Sequence, residues 1–205
     1  IAIGAGALDA NTTADNNTAV GHAALGANTT GSKNTAVGSL ALDANTTAND
    51  NTALGYGALT SNTTGTANTA VGGESVLGSN STGSNNTSVG YQSLTSNTTA
   101  SNNTAIGYNA LVLNTTGTRN VSVGAYALDA NTTADGNTAI GYEALTDNTT
   151  GANNVAVGDR ALDDNTTGEN NTAVGQHALG AVSTASYNTA VGQGALYNNT
   201  NASNT

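Results

Sequence analysis

The 205 residues include no cysteine, proline, methionine, tryptophan or phenylalanine. Disulfides are therefore excluded, and with aromatics at 3%, all of them tyrosine, aromatic packing cannot carry a core. Leu, Ile and Val together supply about 16% of the chain, below the roughly 20% under which disorder is the default expectation. About half of the 37% hydrophobic content is Ala. A conventional globular core is excluded, and only repetition could order such a chain.

Positive charge is equally scarce. Lys33, Arg119 and Arg160 stand against 13 acidic residues, for a net charge of −10. That balance leaves no cationic surface for phosphates or anionic lipid and argues against nucleic-acid and membrane partners. No apolar run approaches the roughly 20 residues that span a bilayer, and no leader pattern opens the chain. The sequence starts at Ile1 and stops at Thr205 in mid-motif. Residues 1–205 are therefore expected to be a single continuous array within a longer protein.

What the sequence does have is a repeat. The Asn of the motif NTAVG recurs at Asn17, Asn34, Asn51, Asn68, Asn86, Asn103, Asn120, Asn137, Asn154, Asn171 and Asn188, in steps of 17 residues apart from one step of 18. With the truncated start there are 12 copies of NTAVGxxALxxNTTGxN, and a short, strict period of this kind predicts a solenoid. The extra residue falls in Gly73-Glu74-Ser75-Val76, where a bulged turn would absorb it.

Position five of the repeat is always Gly (Gly4, Gly21, Gly38, Gly55, Gly107, Gly141 and Gly175 among them), which predicts a turn with positive φ. Position fifteen is always Gly or Ala amid Asn, Asp and Ser, which marks a second corner. Between these corners three short extended pieces are expected: NTAV, the AL pair and NTT. Regular Gly and Asn-Thr-Thr clusters break every helical window, whereas Thr, Val and Ile favour strands. The expected fold is all-β, a parallel β-solenoid of about 12 coils of 17 residues. At about 4.8 Å per coil it would form a rod on the order of 55–60 Å long.

Strand alternation puts Asn and Ala of NTAV on one face and Thr and Val on the other. Two solutions follow. Ala inward leaves the row Val20, Val37, Val89, Ile106, Val123, Ile140 and Val174 outside, as a possible seam between chains. Val inward takes the Thr hydroxyls with it, and these would need internal partners. The Leu row (Leu8, Leu25, Leu42, Leu59, Leu111, Leu128, Leu145) fits the core in either case, at roughly 1.5–3 kcal/mol per buried side chain.

Chemistry is sparse. His22 and His177 occupy different repeat positions in distant copies, and no nucleophile-elbow motif accompanies them, so no enzymatic activity and no cofactor are expected. Asp9 with Asp15, and Asp129 with Asp135, raise calcium at the corners, but the pattern is broken in most copies and neither an EF-hand loop nor the calcium nonapeptide is present. Asn11, Asn28, Asn45, Asn62, Asn97, Asn114, Asn131, Asn148 and Asn165 each open an Asn-Thr-Thr triplet. They read either as glycan acceptors or as a stacked side-chain ladder inside the coil. Tyr56, Tyr91, Tyr108 and Tyr142 share the position after Gly, where a ring could stack on a sugar or another fibre. Regular Thr rows raise ice binding as a competing reading, weakened by the absence of a two-row Thr-x-Thr face.

The residues NTAVGxxAL resemble, along the whole chain, the head repeats of trimeric autotransporter adhesins. The variant Gly55-Tyr56-Gly57-Ala58-Leu59 is also similar to repeats of bacterial surface-fibre and phage tail-fibre proteins. The resemblance implies a left-handed β-roll and a homotrimer or filament with the Val row as inter-chain seam. It further implies an adhesive or structural fibre role at the cell surface or outside the cell, with a surface receptor or glycan as partner. A phage tail-fibre shaft is the related alternative. The 17-residue coil is longer than is common in that family.

Overall fold

The structure is a computed structural model, described here for residues 1–199. It is an all-β parallel solenoid with one strand per repeat, and the described residues contain no helix. The chain divides into two units, Ile1–Asn102 and Asn103–Thr205. In the first, β1 (Ala2–Ile3), β2 (Thr18–Val20), β3 (Thr35–Val37), β4 (Thr52–Leu54), β5 (Thr69–Val71) and β6 (Thr87–Val89) pair in chain order, all parallel. Register follows the repeat, so that Thr18 faces Thr35, Ala19 faces Ala36 and Val20 faces Val37. The inserted residue leaves this register intact, with Thr69 opposite Thr87. It is taken up in the turn, where Glu74 and Ser75 both adopt positive φ.

The second unit repeats the scheme. There β7 (Thr104–Ile106), β8 (Val121–Val123), β9 (Thr138–Ile140), β10 (Val155–Val157), β11 (Thr172–Val174) and β12 (Thr189–Val191) pair in chain order, again parallel.

Of the three extended pieces expected in each repeat, only NTAV is a strand. The AL pair lies in a run of tight turns: in the second coil Ala24 N–H donates to Gly21 O (3.4 Å) and Gly26 N–H to Ala23 O (3.1 Å). Ala23 (φ 54°) and Leu25 (φ 52°) are left-handed at the third residue of their turns, as a type II turn requires. A left-handed non-Gly residue costs roughly 1–2 kcal/mol, but this conformation aims Leu25 inward, where it is fully buried. Burial at roughly 1.5–3 kcal/mol offsets the strain. Coil-to-coil bonding nonetheless continues outside the strands, from Leu25 N–H to Ala41 O (3.0 Å) and from Thr29 N–H to Thr46 O (2.9 Å).

The inward face of each strand is Ala. Ala19, Ala36, Ala53 and Ala70 in the first unit, and Ala105, Ala139, Ala156 and Ala173 in the second, are fully buried. The inward-turned Leu and the Ala before it complete the apolar filling, so only a methyl group fits on the strand side. Where Ser replaces Ala the hydroxyl finds a partner inside: Ser88 Oγ and Ser93 Oγ lie 2.6 Å apart, and Ser122 Oγ donates to Ala127 O (2.7 Å). Buried hydroxyls are tolerated on that condition.

Two asparagine ladders fill the remaining interior. In the first, within each unit, the backbone N–H of an NTAV asparagine donates to Oδ1 of its equivalent one coil earlier, as Asn34 does to Asn17 (2.8 Å) and Asn137 to Asn120 (2.9 Å). Its Nδ2 closes the coil by donating to the carbonyl fourteen residues on, as from Asn34 to Ala48 (2.8 Å). In the second, Asn45 Nδ2 donates to Asn28 Oδ1 (2.8 Å) and to Ala48 O (3.1 Å), and Asn131 Nδ2 to Asn114 Oδ1 (2.9 Å) and Ala134 O (3.2 Å). Ala48 O thus accepts from both ladders, which ties the coil's second corner to its interior.

Candidate interaction surface

With Ala or Ser and Asn inside, the first and third residues of β2 to β12 point outward: Thr, replaced by Val121 in β8 and Val155 in β10, and then Val, Leu or Ile. In the first unit Val20, Val37, Val71 and Val89 are half-buried and Leu54 is exposed; in the second, Val123, Val157 and Val174 are half-buried while Ile106 and Ile140 are exposed. No charged residue occupies either outward strand position in any repeat. Each unit therefore presents a sheet face of stacked Thr and aliphatic side chains.

The other residues singled out by the repeat lie at the corners and inside. Gly4, Gly21, Gly38, Gly55, Gly107, Gly141 and Gly175 all have φ between 128° and 140°, and a Cβ on Gly38 would collide with the Gly55 carbonyl of the next coil. Leu25, Leu42, Leu59, Leu111, Leu128 and Leu145 are fully buried, while Leu8, in the first coil, is half-buried. Asn28, Asn45, Asn62, Asn97, Asn114, Asn131, Asn148 and Asn165 have no exposed surface. A glycan on any of them would require the coil to open; Asn11 alone of these triplets is exposed.

Asp9 and Asp15 are exposed, whereas the acidic corner of the second unit is taken up by local bonds. Asp129 Oδ1 accepts from Thr146 Oγ1 (2.6 Å), and Asp135 accepts from the N–H and hydroxyl of Thr118 (2.6 and 3.0 Å) and pairs with Arg119 (3.4 Å). Among the described residues no group of three or more His, Asp or Glu is placed to hold a metal ion. No helix among them is long and apolar enough to cross a membrane. Burial pushes the Asp129 and Asp163 carboxyls above the usual aspartate range. Asp163 Oδ1 is buried with no hydrogen-bond partner.

The tyrosines divide between the units. In the first, Tyr56 is exposed and the Tyr91 hydroxyl donates to Glu74. In the second, three rings gather on successive coils. Tyr108 and Tyr126 meet edge-to-face at 5.3 Å between centroids, and Tyr126 and Tyr142 at 6.3 Å. The Arg160 guanidinium lies 5.9 Å from the Tyr142 ring centre and donates to Glu143 Oε2 (2.7 Å). The Glu143 carboxyl is held below its ordinary value, first by a hydrogen bond from Tyr142 and then by Arg160. Tyr126 was not foreseen in this row because it sits one residue later in its repeat, after Ala125. An Ala flanked on adjacent coils by two tyrosines was the only available sign that a neighbouring ring could fill the gap.

No family model, curated protein or solved structure matches the chain.

Proposed function

We propose that the chain is a non-enzymatic structural and adhesive segment of an extracellular surface fibre that works by self-association. The observation that carries this reading is the uncharged Thr and aliphatic face of each unit. Outward aliphatic rows of this regularity expose apolar surface that a second chain can cover, and side-by-side packing of such faces is what the resemblance to trimeric adhesin heads implies. Internal ladders and stacked backbone bonds supply stiffness without chemistry.

The test is the mass in solution by light scattering. A trimer, three times the 19.9 kDa of the chain, is the expected result, and Val123→Asp should return it to monomer because a carboxylate in the seam would be buried unpaired. A monomer at every concentration would overturn the seam. If that monomer also depressed the freezing point below the melting point, the outward, mostly half-buried Thr row would support ice binding instead.

A further inference from the structure

We propose that the tyrosine strip of the second unit, Tyr108, Tyr126 and Tyr142 with Arg160, is a binding platform for a neutral, extended polysaccharide chain. The proposal deepens the adhesive reading above by naming its ligand class, and rests on that reading for its biological use. Tyr108 and Tyr142 are 45% and 43% exposed although both contact Tyr126. The strip occurs nowhere else among the described residues: Tyr56, in the first unit, has no ring contact.

Several features point to a sugar polymer. The rings are held against one another edge-to-face, with interplanar angles of 68° and 90°, so little side-chain freedom remains to be lost on binding. The negative face of an aromatic ring attracts the weakly positive C–H face of a pyranose by the same quadrupole that shapes aromatic pairs. Tyr108 and Tyr142 are two coils apart, about 9.6 Å at the spacing of parallel strands, and since each sugar of an extended β-linked chain advances by about one coil, the two rings would meet every second sugar. The Tyr hydroxyls, Glu143 and the Arg160 guanidinium border the rings and can exchange hydrogen bonds with sugar hydroxyls.

Charge and area select against other partners. Arg160 is neutralised by Glu143, Asp159 stands exposed beside it, and the chain carries −10 overall, so an anionic polymer would be repelled. The exposed Tyr108 and Tyr142 rings and the half-buried Tyr126 offer about 250 Å² at most, well short of the roughly 800 Å² per side of a standard protein interface.

The experiment is retention of the full chain on microcrystalline cellulose, on chitin and on polygalacturonate, with solution mass and circular dichroism measured in parallel. Retention on cellulose or chitin is expected, weakened about tenfold by Tyr142→Ala and abolished in Tyr108→Ala/Tyr126→Ala/Tyr142→Ala, with Tyr56→Ala unchanged. Folding should survive, since Ala5 and Ala23 occupy the equivalent positions in other repeats, and the dichroism checks it. No retention on either neutral polymer, retention indifferent to the triple variant, or preference for polygalacturonate would overturn the proposal. A changed solution mass in the triple variant without loss of any glycan retention would identify the strip as a contact between chains. The oligomer and glycan readings fail on different readouts, mass and retention.

Discussion

Val182 stands where the second ladder requires an asparagine, and its consequence is one coil away. It is buried, and Asn165 Oδ1, which in every preceding described pair of that unit accepts from the next Asn, is left buried without a partner. A stranded buried acceptor costs about 1–3 kcal/mol, so Val182→Asn should raise stability by about 1 kcal/mol once the lost Val burial is set against it. The converse substitution is harsher. Asn148→Val removes the donor to Asn131 Oδ1 and to Gly151 O and the acceptor for Asn165 Nδ2, and should cost at least about 2 kcal/mol. Chemical denaturation of the two variants checks both signs; equal effects would show that the ladder fills space without contributing hydrogen-bond energy.

At the scale of the coil, stacking depends on the fifth-position glycine. Gly38 has φ 139° and its missing Cβ leaves room for the Gly55 carbonyl, whereas Gly57 has φ 62° and a Cβ there would meet nothing closer than 3.9 Å. Gly38→Ala should therefore cost about 2 kcal/mol or more. Gly57→Ala should cost only about 1 kcal/mol, the strain of a left-handed residue without a clash, as Ala23 shows by adopting φ 54° at the same repeat position. Thermal melts of the pair separate coil-stacking from general loop flexibility, and similar losses would refute this assignment of roles. The repeat spacing made the coil and its corner legible, because a strict period of glycines has few geometric solutions. It could not choose between Ala and Val as the inward residue, since alternation is symmetric; the choice depends on Leu reaching across from the turn. Nor could it show that this Leu is left-handed. Propensity disfavours that conformation, and only burial of Leu25 and its equivalents outweighs the cost. The tyrosine strip was half visible, with Tyr126 hidden by its one-residue offset.

At the scale of the molecule, the interior contains amides, methyl groups and backbone, none of which titrates, so its response to pH comes from the carboxyls around the coils. Asp129 and Asp163 have folded values raised above 3.8, chiefly by burial, with the Thr146 hydrogen bond opposing this at Asp129 and His177 and Arg160 opposing it at Asp163. A raised carboxyl holds its proton more tightly folded than unfolded. Stability from these two groups is therefore fully present below 3.8 and is lost as pH rises through their folded values. Glu143 has the opposite sign, being held low by Tyr142 and Arg160, but an exposed pair of this kind contributes little. Protonation also relieves the self-repulsion of a chain at −10. The melting temperature should hold or rise as pH falls from 7 to below 3.8, the reverse of ordinary acid denaturation. Asp163→Asn should raise it at pH 7, where one oxygen of the half-buried native carboxylate is buried and unpartnered, and that advantage should vanish below 3.8. A melting temperature that fell on acidification, or an Asn variant whose gain did not depend on pH, would show that these carboxyls do not set the acid response of the second unit.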